Sequence, residues 1–531
     1  MAWHAGTTTT GPNHYRDLLS RLVAAATSKH VSALPINNGG TGYTDGDVLT
    51  ISHASEPTVT PNTMPCRFEV TAAGGVVTGI RRILSAGSFS LRVASATVAA
   101  GGSGYVVGDV IEVQGGTATE KAKFRVATLS GSAVATVTLF ESGGAYSAAP
   151  SSPASTVGVG PSTFAGNNAC TLTLTTQAEI GVIGIAATGG TGTDATFNLT
   201  LTASGWAAQR NRNNFSVNSI NDEKEVVLLG TVAGGDAPLV GMRTYTQDVT
   251  PNIRYGWVTF AMDFYNDSVS IESQSNVGPA TTVGTTGVNL LMFNASEAWW
   301  FSVTGRRLLG VRKAQGGALL TYQSFYLGLM NPFGTTAESP YPMYLSGSSS
   351  VSNRAPDAAS NLVTGLTELF SESSTACPAF FRHPGTGAYT RVQNASAGGA
   401  LRANVLYPLG NPNRAGTAGE DFISTEGTYQ FYVGIGQHSG AAATVLLFPT
   451  LVGFETLLVP CTVISAPTTA DADPDATPRG ELDQVFWISA TKSDGGVMTP
   501  EDTVTIGTQR YRVFPNAGRA ERYSFFVLKE L

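Results

Sequence analysis

GGTGYTDGDVLTI at Gly39–Ile51 returns 62 residues later as GGSGYVVGDVIEV at Gly101–Val113. In each copy Gly-Gly-x-Gly-Tyr demands a turn with positive φ, and Gly-Asp then leads into a β-branched strand. The similarity continues past the turns. Cys66–Val70 and Ala122–Val126 carry the related strings Arg-Phe-Glu-Val and Phe-Arg-Val, and Val76–Leu84 matches Ala133–Phe140. Each unit then reaches a small-residue turn with an aromatic, Phe89 or Tyr146. Duplicated units of this kind build rods, stalks and shells more often than active-site clefts. A third fragment, GGTGTDATFNLTL at Gly189–Leu201, repeats the glycine turn and the Phe-bearing strand.

Outward from the repeats, the chain reads as mainly β. One helix is predicted, capped by Asn13 after Pro12, with Tyr15, Leu18, Leu19, Leu22, Val23 and Ala26 on a single face. Arg16, Asp17, Ser20 and Arg21 take the other face. A helix this short needs its stripe covered, either by the protein's own β-domain or by a neighbouring subunit. Its place behind a floppy GTTTTG arm makes Tyr15, Leu18, Leu19, Leu22 and Val23 the candidate assembly interface. Trp206 and the polar QRNRNN after it mark a boundary. Beyond it, strands are expected at Glu225–Leu229, Gly256–Phe264, Leu290–Phe293, Trp299–Thr304, Ser324–Leu329, Tyr429–Ile435 and Thr444–Leu447, in a β-sandwich-like region. A short helix is expected at Ala359–Phe370. Leu482–Ser489, Thr503–Gly507, Gln509–Phe514 and Tyr523–Leu528 close the chain as strands, the last an edge of its sheet or a seam to another copy. The expected organisation is an arm and docking helix (1–30), β-module 1 (31–92), β-module 2 with a partial third repeat (93–205), a β-rich domain (206–480) and a C-terminal β segment (481–531).

Composition narrows the function. Charged residues make up 13% of the 531 and the net charge is −7, so a basic footprint for nucleic acid is missing. Low charge suits large permanent interfaces, whose cores are depleted of charged side chains. No apolar run reaches the ~18–20 residues that span a bilayer, and the first residues lack the pattern of a signal peptide, so membrane insertion and secretion are not expected. Cys66, Cys170, Cys377 and Cys461 are far apart and form neither a zinc pattern nor a disulfide framework. Asp471, Asp473 and Asp475 have the alternation of a calcium loop, but Ala476 stands where glycine is needed and Leu482 where the bidentate glutamate belongs. An acidic linker is the plainer reading, and no metal or cofactor is expected.

Catalytic patterns are missing from the sequence: it has no P-loop, no GxSxG and no HExxH. The six histidines (His4, His14, His30, His53, His383, His438) are scattered and read as surface residues of polar turns. Asp47 and Asp109 recur because their turn recurs, and are expected to tie it through side-chain to backbone bonds. Tyr43 and Tyr105 should cover the small cores. The aromatics Trp299, Trp300, Phe301, Tyr322, Phe325, Tyr326, Phe333, Tyr341 and Tyr344 read as core and interface residues, with a sugar-binding platform as the alternative.

The opening AWHAGTTTTGPNHYRDLLSRLVAAATS, the GGSGYxxGDxLxV units, the block from Thr304 to Ser349 and the ending from Gly480 to Leu531 together resemble structural proteins of tailed-bacteriophage virions. That resemblance implies a non-enzymatic, multicopy component of the tail, baseplate or fibre-attachment region. It would be assembled in the host cytoplasm and partnered by copies of itself and by other virion proteins. Two rival readings are a receptor-binding module for host surface glycan and a depolymerase. The second would need two carboxylates ~5–9.5 Å apart, and no pair suggests itself.

Overall fold

The computed structural model describes residues 1–8, 14–52, 64–118, 121–141, 146–160, 164–177, 182–214, 223–232, 237–249, 252–269, 288–292, 297–316, 319–347, 379–391, 405–407, 451–465, 477–488, 498–515 and 525–530, apart from a few single positions inside these ranges, together with Ile271, Gln274 and residues 277–278. They form a mainly β protein with one helix, α1 (His14–Thr27). Of the expected elements, Ala359–Phe370, Tyr429–Ile435 and Thr444–Leu447 lie outside the described residues, as do Asp471, Asp473, Asp475 and Cys377. Among the described residues no helix is long and apolar enough to cross a membrane.

A central antiparallel sheet organises the body. Its strand order is Ala2–Thr8, Glu297–Thr304, Arg307–Gly316, Leu319–Leu329, Met343–Ser346, Phe380–Arg382, Tyr389–Arg391. Side chains alternate across a strand, so Trp299, Phe301 and Val303 face one way and Trp300 the other, and all are buried. Leu308, Phe325, Leu327, Leu329, Met343 and Leu345 join the first face; Leu309, Val311, Tyr322, Tyr326 and Tyr344 join the second. Antiparallel sheets commonly keep one face wet. This one is covered on both sides, which accounts for the unbroken apolar run AWWF at Ala298–Phe301.

The first face packs against α1 and a run of antiparallel strands, Trp206–Asn214, Glu223–Gly230, Leu239–Val249, Asn252–Ala261 and Val288–Met292. The second packs against a C-terminal sheet through Val463, Leu482, Val485, Phe514, Phe526 and Leu528. The body is therefore a three-layer β stack. At ~1.5–3 kcal/mol for each large apolar side chain buried, these two interlayer cores carry most of its stability.

Three expectations are corrected here. Gly6–Thr8, the described part of the expected arm, is not floppy: Ala2–Thr8 pairs with Glu297–Thr304 along its whole length, from Ala2 opposite Val303 to Thr8 opposite Glu297. QRNRNN continues the strand Trp206–Asn214, which begins at the expected boundary residue Trp206, with Arg210 and Asn211 buried. The proposed break at 480/481 falls inside the strand Thr477–Ile488, and the C-terminal sheet also takes Val405–Tyr407 and Val459–Ser465 from the preceding region. The last strand, Phe525–Lys529, is interior, lying between Thr477–Ile488 and Gln509–Pro515.

The repeats fold as two small barrels, one nested inside the other. The outer module holds Ile36–Thr41, Val48–Ile51, Cys66–Ala73 and Val76–Ala86, and is completed by Ile185–Ala186 and Thr193–Phe197. Thr193–Phe197 pairs with Ile36–Thr41, and Ala195, Phe197 and Leu199 lie in one core with Tyr43, Leu49, Phe68 and Val77. The inner module holds Arg92–Gly101, Val110–Val113, Lys123–Ser130, Ala133–Glu141, Ala154–Gly160 and Cys170–Gln177 around a separate core that includes Tyr105, Ile111, Phe124 and Leu172. The third fragment, Gly189–Leu201, is thus no third repeat. It is the last strand of the first module, displaced in sequence because the second is inserted before it, and the expected divisions 31–92 and 93–205 give way to this nesting.

The two turns superimpose in conformation. Gly40, Gly42 and Gly46 have φ of 61°, 79° and 93°, and Gly102, Gly104 and Gly108 have 61°, 81° and 98°. Gly39 and Gly101 are needed for another reason. A Cβ there would lie 2.6 Å from the carbonyl oxygen of Val77 or of Val134, where the first strand closes onto the fourth.

Candidate interaction surfaces

The apolar stripe of α1 was the candidate interface, and the chain covers it itself. Leu18, Leu19, Leu22 and Val23 are buried with Trp206, Val226, Trp257, Trp299 and Phe301. The Tyr15 side chain lies outside the described ones. Of the two readings open for this helix, the protein's own β-domain is what covers it, and these residues present no free face to a neighbour.

The repeated aspartates do what their turn requires. Asp47 Oδ2 accepts from Thr44 N at 3.0 Å and Asp109 Oδ2 from Val106 N at 3.0 Å. Bonds from the Thr191 backbone N–H and hydroxyl, with the one from Thr44 N, hold the Asp47 carboxyl below the usual range. Tyr43 and Tyr105 close their barrels, the Tyr105 hydroxyl accepting from Cys170 N at 3.1 Å and the Tyr43 hydroxyl from Ala195 N at 3.4 Å. Cys66, Cys170 and Cys461 are free, buried thiols, and burial raises the pKa of each.

Two buried carboxylates, Glu297 and Glu141, are spent on ion pairs between strands, and the half-buried Glu501 joins two sheets. Glu297 meets Arg312, both oxygens 3.1 Å from Nη1, inside the central sheet. Glu141 meets Lys123 at 2.6 Å in the inner module. Glu501, with a left-handed φ of 70°, accepts from Lys313 and from the Tyr322 hydroxyl, each at 2.6 Å, and so ties the C-terminal sheet to the central one. Arg92 is fully buried where the inner module enters. Its guanidinium bonds the Thr27 and Ser28 hydroxyls at the C-terminal end of α1, where the carbonyls favour a cation, and burial lowers it to about 10.

Three histidines correct the surface reading. His4 and His30 are buried on strands, and His383 is buried beside Arg479. Most of the singled-out aromatics are core: Trp299, Trp300, Phe301, Tyr322, Phe325, Tyr326 and Tyr344 are buried, which leaves no platform on them. Tyr341 is half-buried, Phe333 is 56% exposed, and Phe264, which sequence reasoning placed inside a strand, is 64% exposed.

The surface feature that sequence reasoning missed lies on the inner module. At the turn position where the outer module has Thr44 and Asp45, the inner module has Val106 and Val107, 50% and 61% exposed. In the outer copy these positions are engaged: Thr44 bonds Thr191, and Asp45 pairs with Arg81 and accepts from Ala72 N. The strand Ala154–Gly160 adds Val157 and Val159, 41% and 48% exposed. Gly160 lies opposite Val110, which sets Val159 at the same end of the sheet as the Val106–Val107 turn. The signal was present in the alignment of the two repeats, as valine in one copy against Thr-Asp in the other. No protein-family model matches this chain, and no curated protein matches it.

Proposed function

We propose that this chain is a structural component of a tailed-phage virion, in the tail, baseplate or fibre-attachment region, acting through contacts between subunits and without catalysis. The observation that carries the reading is the apolar turn of the inner module. A barrel that can hold Thr-Asp at this corner holds Val-Val instead, and the strand that pairs with Val110–Val113 carries two more exposed valines, Val157 and Val159. Contiguous exposed apolar residues on a folded protein mark a binding surface. The surrounding architecture supports the same reading. The buried carboxylates of Glu141 and Glu297 are tied up between strands, and the repeated aspartates are used to shape turns. The assembly contact is accordingly assigned to the inner module instead of the helix, with other copies of the chain and further virion proteins as partners.

Val107→Asp combined with Val159→Asp tests it. Both sites are exposed, so the melting temperature should stay within a few degrees of the parent. The variant should be depleted from purified particles at least tenfold, as measured by quantitative mass spectrometry. Normal incorporation overturns the assignment of the surface. Absence of the parent chain from particles overturns the function, and glycan-array binding that depends on Phe264 and Phe333 would put the receptor-binding reading in its place.

A further inference from the structure

Strand Ala2–Thr8 lies against the outer module's Val76–Ala86, and the module's Lys29–Ala33, paired with Thr200–Ala203, runs beside them. This is the joint between the three-layer body and the two nested barrels. Two imidazoles meet in it, His4 from the body strand and His30 from the module, with ring centroids 6.4 Å apart and planes at 74°. Both are buried. His30 is satisfied, Nδ1 lying 3.1 Å from Ser204 Oγ, with a further bond to the Met1 backbone. Neither nitrogen of His4 has a hydrogen-bond partner. An unsatisfied buried polar group is destabilising, so an imidazole at this position calls for an explanation.

We infer that the His4–His30 pair is an acid-opened latch between the body and the nested modules. The charged groups around it favour opening. The Met1 amino group acts on His30 and is itself acted on by Arg307, Lys529 and Asp483. Arg92 reaches the same joint through Ser28, which stands two residues before His30. Asp483 is the only carboxylate in that set, and it bears on the amine. A proton on His4 would therefore be buried against His30, and one on His30 beside the Met1 amino group, with no carboxylate among the described groups acting on either ring.

Burial, with the neighbouring His30, lowers His4 to about 3; burial, with the N-terminal amine, lowers His30 to about 4. The sign follows directly. Once the joint opens, each imidazole regains an ordinary pKa near ~6.5, so the open form binds more protons than the closed one at any lower pH. Closure is fully favoured above ~6.5 and is lost progressively as the pH falls toward 4 and then 3. At pH 5 each histidine multiplies the opening constant roughly thirtyfold, about tenfold for each pH unit below 6.5.

Hydrogen exchange read by mass spectrometry, corrected for the intrinsic pH dependence of exchange, tests the latch on the full chain. Between pH 7 and pH 5, protection at 29–33 and 200–203 should fall by roughly 30- to 1000-fold, for one histidine or both. Protection at 226–228 and 299–303, inside the body, should hold. His4→Phe fills the site without a titrating group, and His30→Gln keeps a polar side chain for Ser204. Each should remove its own share of the acid response. The latch is overturned by equal protection at both pH values, by simultaneous loss across the body and modules, or by an acid response unchanged in both variants.

Discussion

Arg312 shows how much a single charge is worth when water is kept away. Its guanidinium meets both oxygens of Glu297, and the two side chains are buried within one sheet. Attraction inside the protein is strong, but so is the cost of taking two ions out of water, and the pair is close to break-even against apolar residues of similar volume. Removing one partner is different, because the other stays buried and loses the opposite charge that meets it here. Arg312→Leu should lose about 3–5 kcal/mol in a urea titration, while Glu297→Leu with Arg312→Leu should recover most of it. Equal losses in the single and double variants would show that packing, and not charge, sets the effect. The pair was invisible beforehand: sequence gives the two residue types but not the hairpin register that sets Glu297 opposite Ala314 and brings Arg312 alongside.

At the scale of elements, α1 separates what a periodic pattern determines from what it leaves open. The 3.6-residue spacing predicts a helix with a covered apolar face, and in α1 Leu18, Leu19, Leu22, Val23 and Ala26 are buried. It is silent on which surface does the covering, and the floppy arm drawn before the helix tilted the reading outward. Leu22→Ala should therefore destabilise the isolated chain by about 2–5 kcal/mol, the cost of a cavity in a core. A variant as stable as the parent would place the stripe at a contact between subunits after all. The missed strand Ala2–Thr8 has a related cause. Half-wet strands betray themselves by alternation, but this one sits in a sheet buried on both faces. Trp3 packs on one side and Ala2 on the other, and no polar period survives to be read. Turns were legible for the opposite reason: glycine at Gly40, Gly42 and Gly46 is a direct requirement of positive φ, whatever the strands around it do.

For the whole molecule, the nesting of the barrels is the property that linear reading could not reach. Repeats in a row suggest modules in a row, whereas here the second was placed inside the first and its parent's final strand was pushed downstream. The chain enters and leaves the inner barrel through neighbouring strands, with Arg92 opposite Gln177, a separation of ~4.5–5.5 Å across an antiparallel pair. Its core draws only on residues from Val93 to Leu174 and their immediate neighbours, and the outer core draws on none of them. Among the described residues, the inner barrel pairs with the body sheet at one position, Glu141 opposite Arg212. Deleting 93–176 and bridging Arg92 to Gln177 with a short Gly-Ser link should therefore leave the outer barrel and the body folded, with near-parent melting by near-ultraviolet circular dichroism. The excised 91–178 segment should unfold cooperatively by itself. If the deletion melted the outer barrel, or the segment alone showed no transition, the two barrels would form one cooperative unit and the valine-bearing corner could not be treated as an independent module of attachment.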